Sequence, residues 1–232
     1  MPVREIPVPT LIAAVGVLGR TRAALPAAEA VLLGLAALAA VTIQELWLLT
    51  RHVNTIAHEG AHAIAGVMAG RKVRSMEIKR NADGATNVTS GQAAGTVLIA
   101  VAGYLGPSGF GLAAAKLISL GQSVTVLWLG LVLLFCVLFV LRKVFSFVPV
   151  VLTGLLLFIM ARYAATGTQT VFAYGSTWFL LLAGVRQVLD HGVRASDALA
   201  LSKITHIGRG FWFWLWLAGT GYALAIGGSL LV

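Results

Sequence analysis

Apolar positions dominate the chain in seven blocks, at about 27–49, 53–70, 92–113, 123–141, 144–163, 171–190 and 210–231, with short polar or basic stretches between them. Blocks of about 20 residues match the length a helix needs to cross a hydrocarbon core of about 30 Å. The periodicity changes at 71–91. There Val73, Ser75, Glu77 and Lys79 alternate with Arg74, Met76, Ile78 and Arg80, and Asn81-Ala82-Asp83-Gly84 supplies a turn before Ala85–Thr89. A period of two around such a turn predicts a β-hairpin. Lipid does not tolerate open sheet edges, so the hairpin belongs at the interface or under a protein cover. A second polar stretch, 191–209, carries a short helical signal, with Ser196 as the expected N-cap of Asp197–Lys203. The predicted fold class is an α-helical polytopic membrane protein of about six to seven membrane helices, with a small interfacial β-hairpin after the second block. Residues 1–25 read as a cytoplasmic or interfacial N-terminal arm, because Glu5 and the prolines at 2, 7 and 9 suit a signal peptide poorly. Residues 26–232 read as one membrane-embedded domain, with the hairpin at 71–91 and a loop or re-entrant segment at 191–209.

Composition sharpens this picture. Hydrophobic residues make up 59% of the 232 and charged residues 11%, and the mean hydropathy is +0.91. A chain so short of charge cannot cover a water-facing surface, and it is too apolar to be disordered. The net charge of +9 has a topological reading. If all seven blocks cross and the N-terminus is cytoplasmic, fourteen of the Lys and Arg residues face the cytoplasm. Only Arg51, Lys116 and Arg162 face the other side. No basic run is interleaved with aromatics in the manner of a nucleic-acid surface, so no nucleic-acid partner is expected. Cys136 is alone and permits no internal disulfide. No internal repeat is visible.

The chemistry concentrates at His58-Glu59-Gly60-Ala61-His62, an HExxH pattern. On a helix, residues four apart share a face, so the two imidazoles can bind one Zn²⁺ with Glu59 beside them. Two interfacial histidines and a surface glutamate are the bland alternative, but ionisable groups within an apolar helix are costly and a metal accounts for all three at once. A catalytic zinc takes three protein ligands and keeps one position open. The third comes from a short set: Glu5, Glu29, Glu45, Glu77, Asp83, Asp190, Asp197, His52, His191 or His206. Elsewhere, Gln44 and Glu45 suit the outer interface. Gly66 and Gly70 form a small-xxx-small step for close helix packing within the monomer. Phe211, Trp212, Phe213, Trp214 and Trp216 read as an interfacial aromatic belt.

The run TIAHEGAHAIAGVMAGRKVRSMEI resembles the site-2 protease family of membrane-embedded zinc metalloproteases, and within it the compact bacterial B-like branch. Ala102-Gly103-Tyr104-Leu105-Gly106-Pro107 and Ser196-Asp197-Ala198, with Leu201 and Thr205 behind it, are similar to two further elements of that branch. The resemblance spans about 54–216 in three short patches. It implies a zinc endopeptidase acting on membrane-associated or transmembrane peptides, with His58, His62 and a distant aspartate as metal ligands and Glu59 as general base. That aspartate is Asp197 by the resemblance. Leu189-Asp190-His191-Gly192 is a near match to the family's Leu-Asp-Gly element, which makes Asp190 the second candidate, followed by His191, His206 and Asp83. Local ion pairing with Arg186 or Arg194 is the plain alternative for Asp190, and favourable placement in a first helical turn is that for Asp197. The resemblance also implies an integral protein of the bacterial plasma membrane, surrounded by lipid, and the Lys/Arg topology places the expected polar pocket open to the cytoplasm.

Two other classes compete. A metal or ion transporter would use the His-Glu-His cluster in transit, and a non-catalytic scaffold would merely retain it. A second copy of the site is missing for the first, and Glu59 is superfluous for the second. The sequence leaves oligomeric state open. It also sets a puzzle: His58 lies about five residues from the outer end of its block and roughly 20 Å of helix from Arg71, so Asp197 must travel inward or the helix must tilt.

Overall fold

A computed structural model describes residues 24–232. The arm expected over 1–25 lies almost wholly outside the described residues. The chain runs α1 (Ala27–Thr42), α2 (Gln44–Met68), β1 (Val73–Ile78), β2 (Gly84–Val88), α3 (Ala93–Ser119), α4 (Ser123–Leu138), α5 (Val144–Tyr163), α6 (Thr166–His191), a 3₁₀ turn (Gly192–Arg194), α7 (Ser196–Thr205) and α8 (Arg209–Leu231). Every apolar block is helical. By length and composition, among the described residues, α3, α5 and α8 can each cross a membrane, and α1 with α2 can form one more, broken span. That makes three to four clear spans against the six to seven expected. The 16 residues of α4 fall short of a span. The polar Gln169, Thr170, Ser176, Thr177 and Gln187 dilute α6.

The break between the first two helices falls at Ile43, not at 50–52, and α1 and α2 meet there at 97°. Residues 50–52 contain no helix breaker, and Thr50 Oγ1 donates to Leu46 O at 2.9 Å within an unbroken turn. HEGAH therefore lies well inside a 25-residue helix. The end of α2 is set by Gly70 at φ +71°. The Arg71 amide donates to Gly66 O and the Gly70 amide to Val67 O, both at 2.9 Å, which is a Schellman stop. Gly70 thus ends the helix, and a Cβ on Gly66 would lie 2.9 Å from Val88 Cγ1. Of the Gly66/Gly70 step, only Gly66 serves close packing, and its nearest neighbour is the hairpin.

The hairpin pairs antiparallel, with Met76 opposite Thr86 and Ile78 opposite Gly84. The outer edge of β1 is covered: Met76 N donates to Val140 O at 2.8 Å, and Ile78 N donates to Ser146 Oγ at 2.9 Å. Ser146 Oγ donates in turn to Ile78 O at 3.1 Å. Met76 and Ile78 pack with Ile56 of α2, Leu134, Val137 and Leu141 around α4, and Val150 of α5. This meets the expectation that a hairpin among membrane helices needs a protein cover.

α7 is held by Ala198 and Leu201, both 0% exposed, against Ala100, Tyr104, Val188, Trp212 and Trp216. Its N-cap is Ala195 rather than Ser196, which is the first helical residue and makes no side-chain cap bond. The aromatic run at the start of α8 divides. Trp214 is 66% exposed, as a belt residue would be, but Trp216 is 0% exposed and stacks on Tyr104 at 4.3 Å. Helical spacing turns every other tryptophan of this run inward.

Candidate functional site

α2 is an inside-out amphipathic helix. Ile64, Val67 and Met68 are exposed, while Asn54, Thr55, His58, Glu59 and His62 are at most 7% exposed. One turn apart on that polar face, His58 Nε2 and His62 Nε2 lie 3.0 Å from each other. The first turn of α7 brings Asp197 Oδ2 to 3.6 Å from the first and 3.5 Å from the second. Asp190 goes elsewhere, to an ion pair with Arg186 Nε at 2.7 Å. His191 Nδ1 donates to Gln187 O at 3.0 Å, Asp83 accepts from Asn81 in the hairpin turn, and His206 is the left-handed cap of α7. Among the described residues, only His58, His62 and Asp197 gather as a candidate metal group. The bend at Ile43 and the short α7 together let an aspartate 139 residues downstream of His58 reach it.

The donor set fits zinc. With metal–ligand distances of about 2.0–2.1 Å, the edge of a ligand tetrahedron is about 3.3 Å. The three edges here, 3.0, 3.5 and 3.6 Å, bracket it. His62 Nδ1 donates to Ile99 O at 2.7 Å, which leaves its Nε2 lone pair for a metal. The Tyr104 ring meets His58 edge-on, 4.9 Å away at 90°. Gly103 lies directly under both imidazoles, and a Cβ there would run into the His62 ring and lie 2.8 Å from His58 Cε1. Burial by itself would raise the Asp197 carboxyl, but the neighbouring His58 and His62 imidazoles outweigh it and hold the group below the usual carboxylate range.

Glu59 faces the hairpin. Thr86 Oγ1 donates to Glu59 Oε2 at 2.6 Å, a charge-assisted contact. Gly84 sits against the same carboxylate and leaves the space it occupies, since a Cβ there would strike Glu59 Oε1. Around these groups lies a polar cavity of about 700 Å³, bordered also by Arg51, Lys79 and Arg194. Gln44 and Glu45 are exposed and outside it.

Sequence reasoning missed Thr86, Gly84, Asn54 and Gln187. Thr86 and Gly84 were visible only as hairpin residues, and pairing a strand with the motif helix was the needed signal. Gln187 carried no signal beyond being polar in an apolar block. Gly103 and Tyr104 stood in a family-like patch without an assigned role.

A family model described as peptidase M50B-like matches residues 31–227. No curated protein matches the chain, and no solved structure does. With most of its length covered by that one model, the chain belongs to the peptidase M50B-like family, in keeping with its resemblance to the compact B-like branch of the site-2 proteases.

Proposed function

We propose that this chain is a membrane-embedded zinc metalloprotease that hydrolyses peptide bonds of membrane-associated or transmembrane substrates. One observation carries the reading: His58 Nε2, His62 Nε2 and Asp197 Oδ2 converge at ligand spacing, with Glu59 on the same buried helix face. Those three residues would hold the metal, a nitrogen–nitrogen–oxygen set that leaves one position for water or substrate. When bound, zinc supplies a Lewis acid that polarises the scissile carbonyl and acidifies a coordinated water.

The chain's own residues do the rest. Glu59 takes the proton of the attacking water and returns it to the leaving nitrogen. The Thr86 hydroxyl fixes one Glu59 oxygen, so the carboxylate waits in a set orientation instead of rotating freely. Tyr104 and Ile99 keep the imidazoles from turning. A substrate must be extended here, because a helix keeps its carbonyls in internal hydrogen bonds. The outer edge of β1 is engaged with 140–146, whereas no strand among the described residues pairs with the other edge of β2. A peptide adding to β2 would pass alongside Glu59. The family resemblance supports a bacterial plasma membrane, and the distribution of Lys and Arg supports a cavity opening to its cytoplasmic side only on a topology in which all seven apolar blocks cross.

The test is Glu59→Gln in the full chain, purified in detergent and offered labelled transmembrane peptides. The variant is expected to keep zinc at wild-type stoichiometry and to lose cleavage. Cleavage at the wild-type rate would refute the assignment.

A further inference from the structure

His58 turns Nε2 toward His62 and Asp197, so its other ring nitrogen is served from outside the cluster. The partner is Gln187 of α6, whose Nε2 lies 2.8 Å from His58 Nδ1. Behind it, Asn54 Nδ2 donates to Gln187 Oε1 at 2.8 Å. All three residues are buried, and Asn54 Oδ1 at the far end has no hydrogen-bond partner. A buried acceptor without a donor costs about 1–3 kcal/mol, so this one asks for an explanation.

The two imidazoles are supported differently. His62 Nδ1 faces a backbone carbonyl, which only accepts, and its tautomer is set. His58 Nδ1 faces a carboxamide, which donates or accepts according to a half-turn about its last bond. With Gln187 Nε2 toward it, Nδ1 accepts and the ring proton sits on Nε2, where it blocks a metal. With Gln187 Oε1 toward it, Nδ1 donates and Nε2 is a free ligand. That half-turn points the Gln187 amino group at Asn54. A matching half-turn of Asn54 then supplies Oδ1, the atom that now lacks a partner, as the acceptor.

We propose that Gln187, backed by Asn54, is the positioning residue for His58, its carboxamide oxygen accepting from Nδ1 so that Nε2 is left free for a metal. The inference rests on the reading of His58 as a metal ligand given above.

The test is Zn²⁺ affinity of the full-length protein in detergent, by competition with a chromophoric chelator, with thermal unfolding as the control for folding. Gln187→Leu removes both polar atoms at similar volume and is expected to weaken zinc binding about 10- to 100-fold. Gln187→Glu keeps an acceptor toward Nδ1 and a receiver for Asn54 Nδ2, and is expected to bind zinc at least as well as Gln187→Leu does by tenfold. If Gln187→Leu does not fold, Asn54→Leu carries the test, with a smaller loss expected and none in Asn54→Asp. Wild-type affinity in the folded Leu variant overturns the proposal, and so does an equal loss in Leu and Glu, which would mean packing alone. His58→Ala separates the two readings. Zinc binding unaffected by His58→Ala sinks the metal site itself. Zinc binding lost there but untouched by Gln187→Leu sinks only the relay.

Discussion

Gly103→Ala puts one methyl group between α3 and the imidazoles of α2. Two local effects on stability oppose each other. Replacing a glycine inside a helix by alanine gains about 1 kcal/mol, and overpacking a closed contact costs about 1–3 kcal/mol. The net change in unfolding free energy is therefore expected between about zero and 2 kcal/mol of destabilisation. The effect on the proposed metal site is larger. The new Cβ would lie 2.8 Å from His58 Cε1 and closer still to the His62 ring. Ordinary carbon contacts need about 3.5–4.0 Å, so the rings must withdraw by about 1 Å. Metal sites hold their ligand distances to within about 0.2 Å. The variant should thus fold and lose zinc. Gly60→Ala is the internal control: it lies between the same two histidines, but a Cβ there meets nothing within 4 Å. It should keep zinc and gain a little stability. The assay is zinc content after dialysis against a weak chelator, alongside thermal unfolding of both variants. A folded Gly103→Ala protein with wild-type zinc affinity would refute the geometry argued here.

Three further outcomes follow from the same contacts. Asp197→Ala should lower zinc affinity, while Asp190→Ala should leave zinc content unchanged and cost about 1 kcal/mol or less, the worth of a partly exposed i,i+4 pair; chelator competition reads the zinc and thermal unfolding the stability. Thr86→Val removes the hydroxyl that donates to Glu59 and should slow peptide cleavage about 10- to 100-fold with zinc content unchanged, whereas Thr86→Ser should stay near wild type. Ser146→Ala strips both hydrogen bonds from Ile78 at a position 0% exposed, and should destabilise the protein by about 1–3 kcal/mol in thermal or denaturant unfolding.

Much of this was legible in the sequence, and the boundary follows the range of the forces involved. Helices longer than four turns and a hairpin with its turn write a local periodicity, so seven blocks and the 71–91 strands were readable. The HExxH pair was readable because four-residue spacing on a helix is itself a distance. What decides between Asp190 and Asp197 is not local. Leu201 and Ala198 bury against Trp216 and Tyr104, and that burial pulls α7 onto α3 and α8. Asp190, six residues before the start of α7, is left on α6 beside Arg186. The bend at Ile43 was missed for the opposite reason. Nothing in Val41-Thr42-Ile43 breaks a helix, while Thr50-Arg51-His52 looks like a polar boundary. Those polar residues continue α2 because one of its faces looks into a polar cavity, so hydrophobicity did not mark the surface there.

That inversion explains how a chain so poor in charge can seat the proposed hydrolytic site. A buried ionisable group is tolerated when each of its polar atoms finds a partner. His62 has Ile99, His58 has Gln187, Glu59 has Thr86, and Asp197 has the two imidazoles. The partners come from α3, α6, β2 and α2, so no single segment satisfies the cluster. The polar face of α2 is therefore stable only in the assembled domain. Removing the hairpin would strip Glu59 of its donor and its cover, and removing α7 would leave the Nε2 atoms of the two histidines facing only each other. The site and the fold are accordingly expected to fail together when either small element is deleted, while the long apolar helices, which satisfy their own backbones, persist.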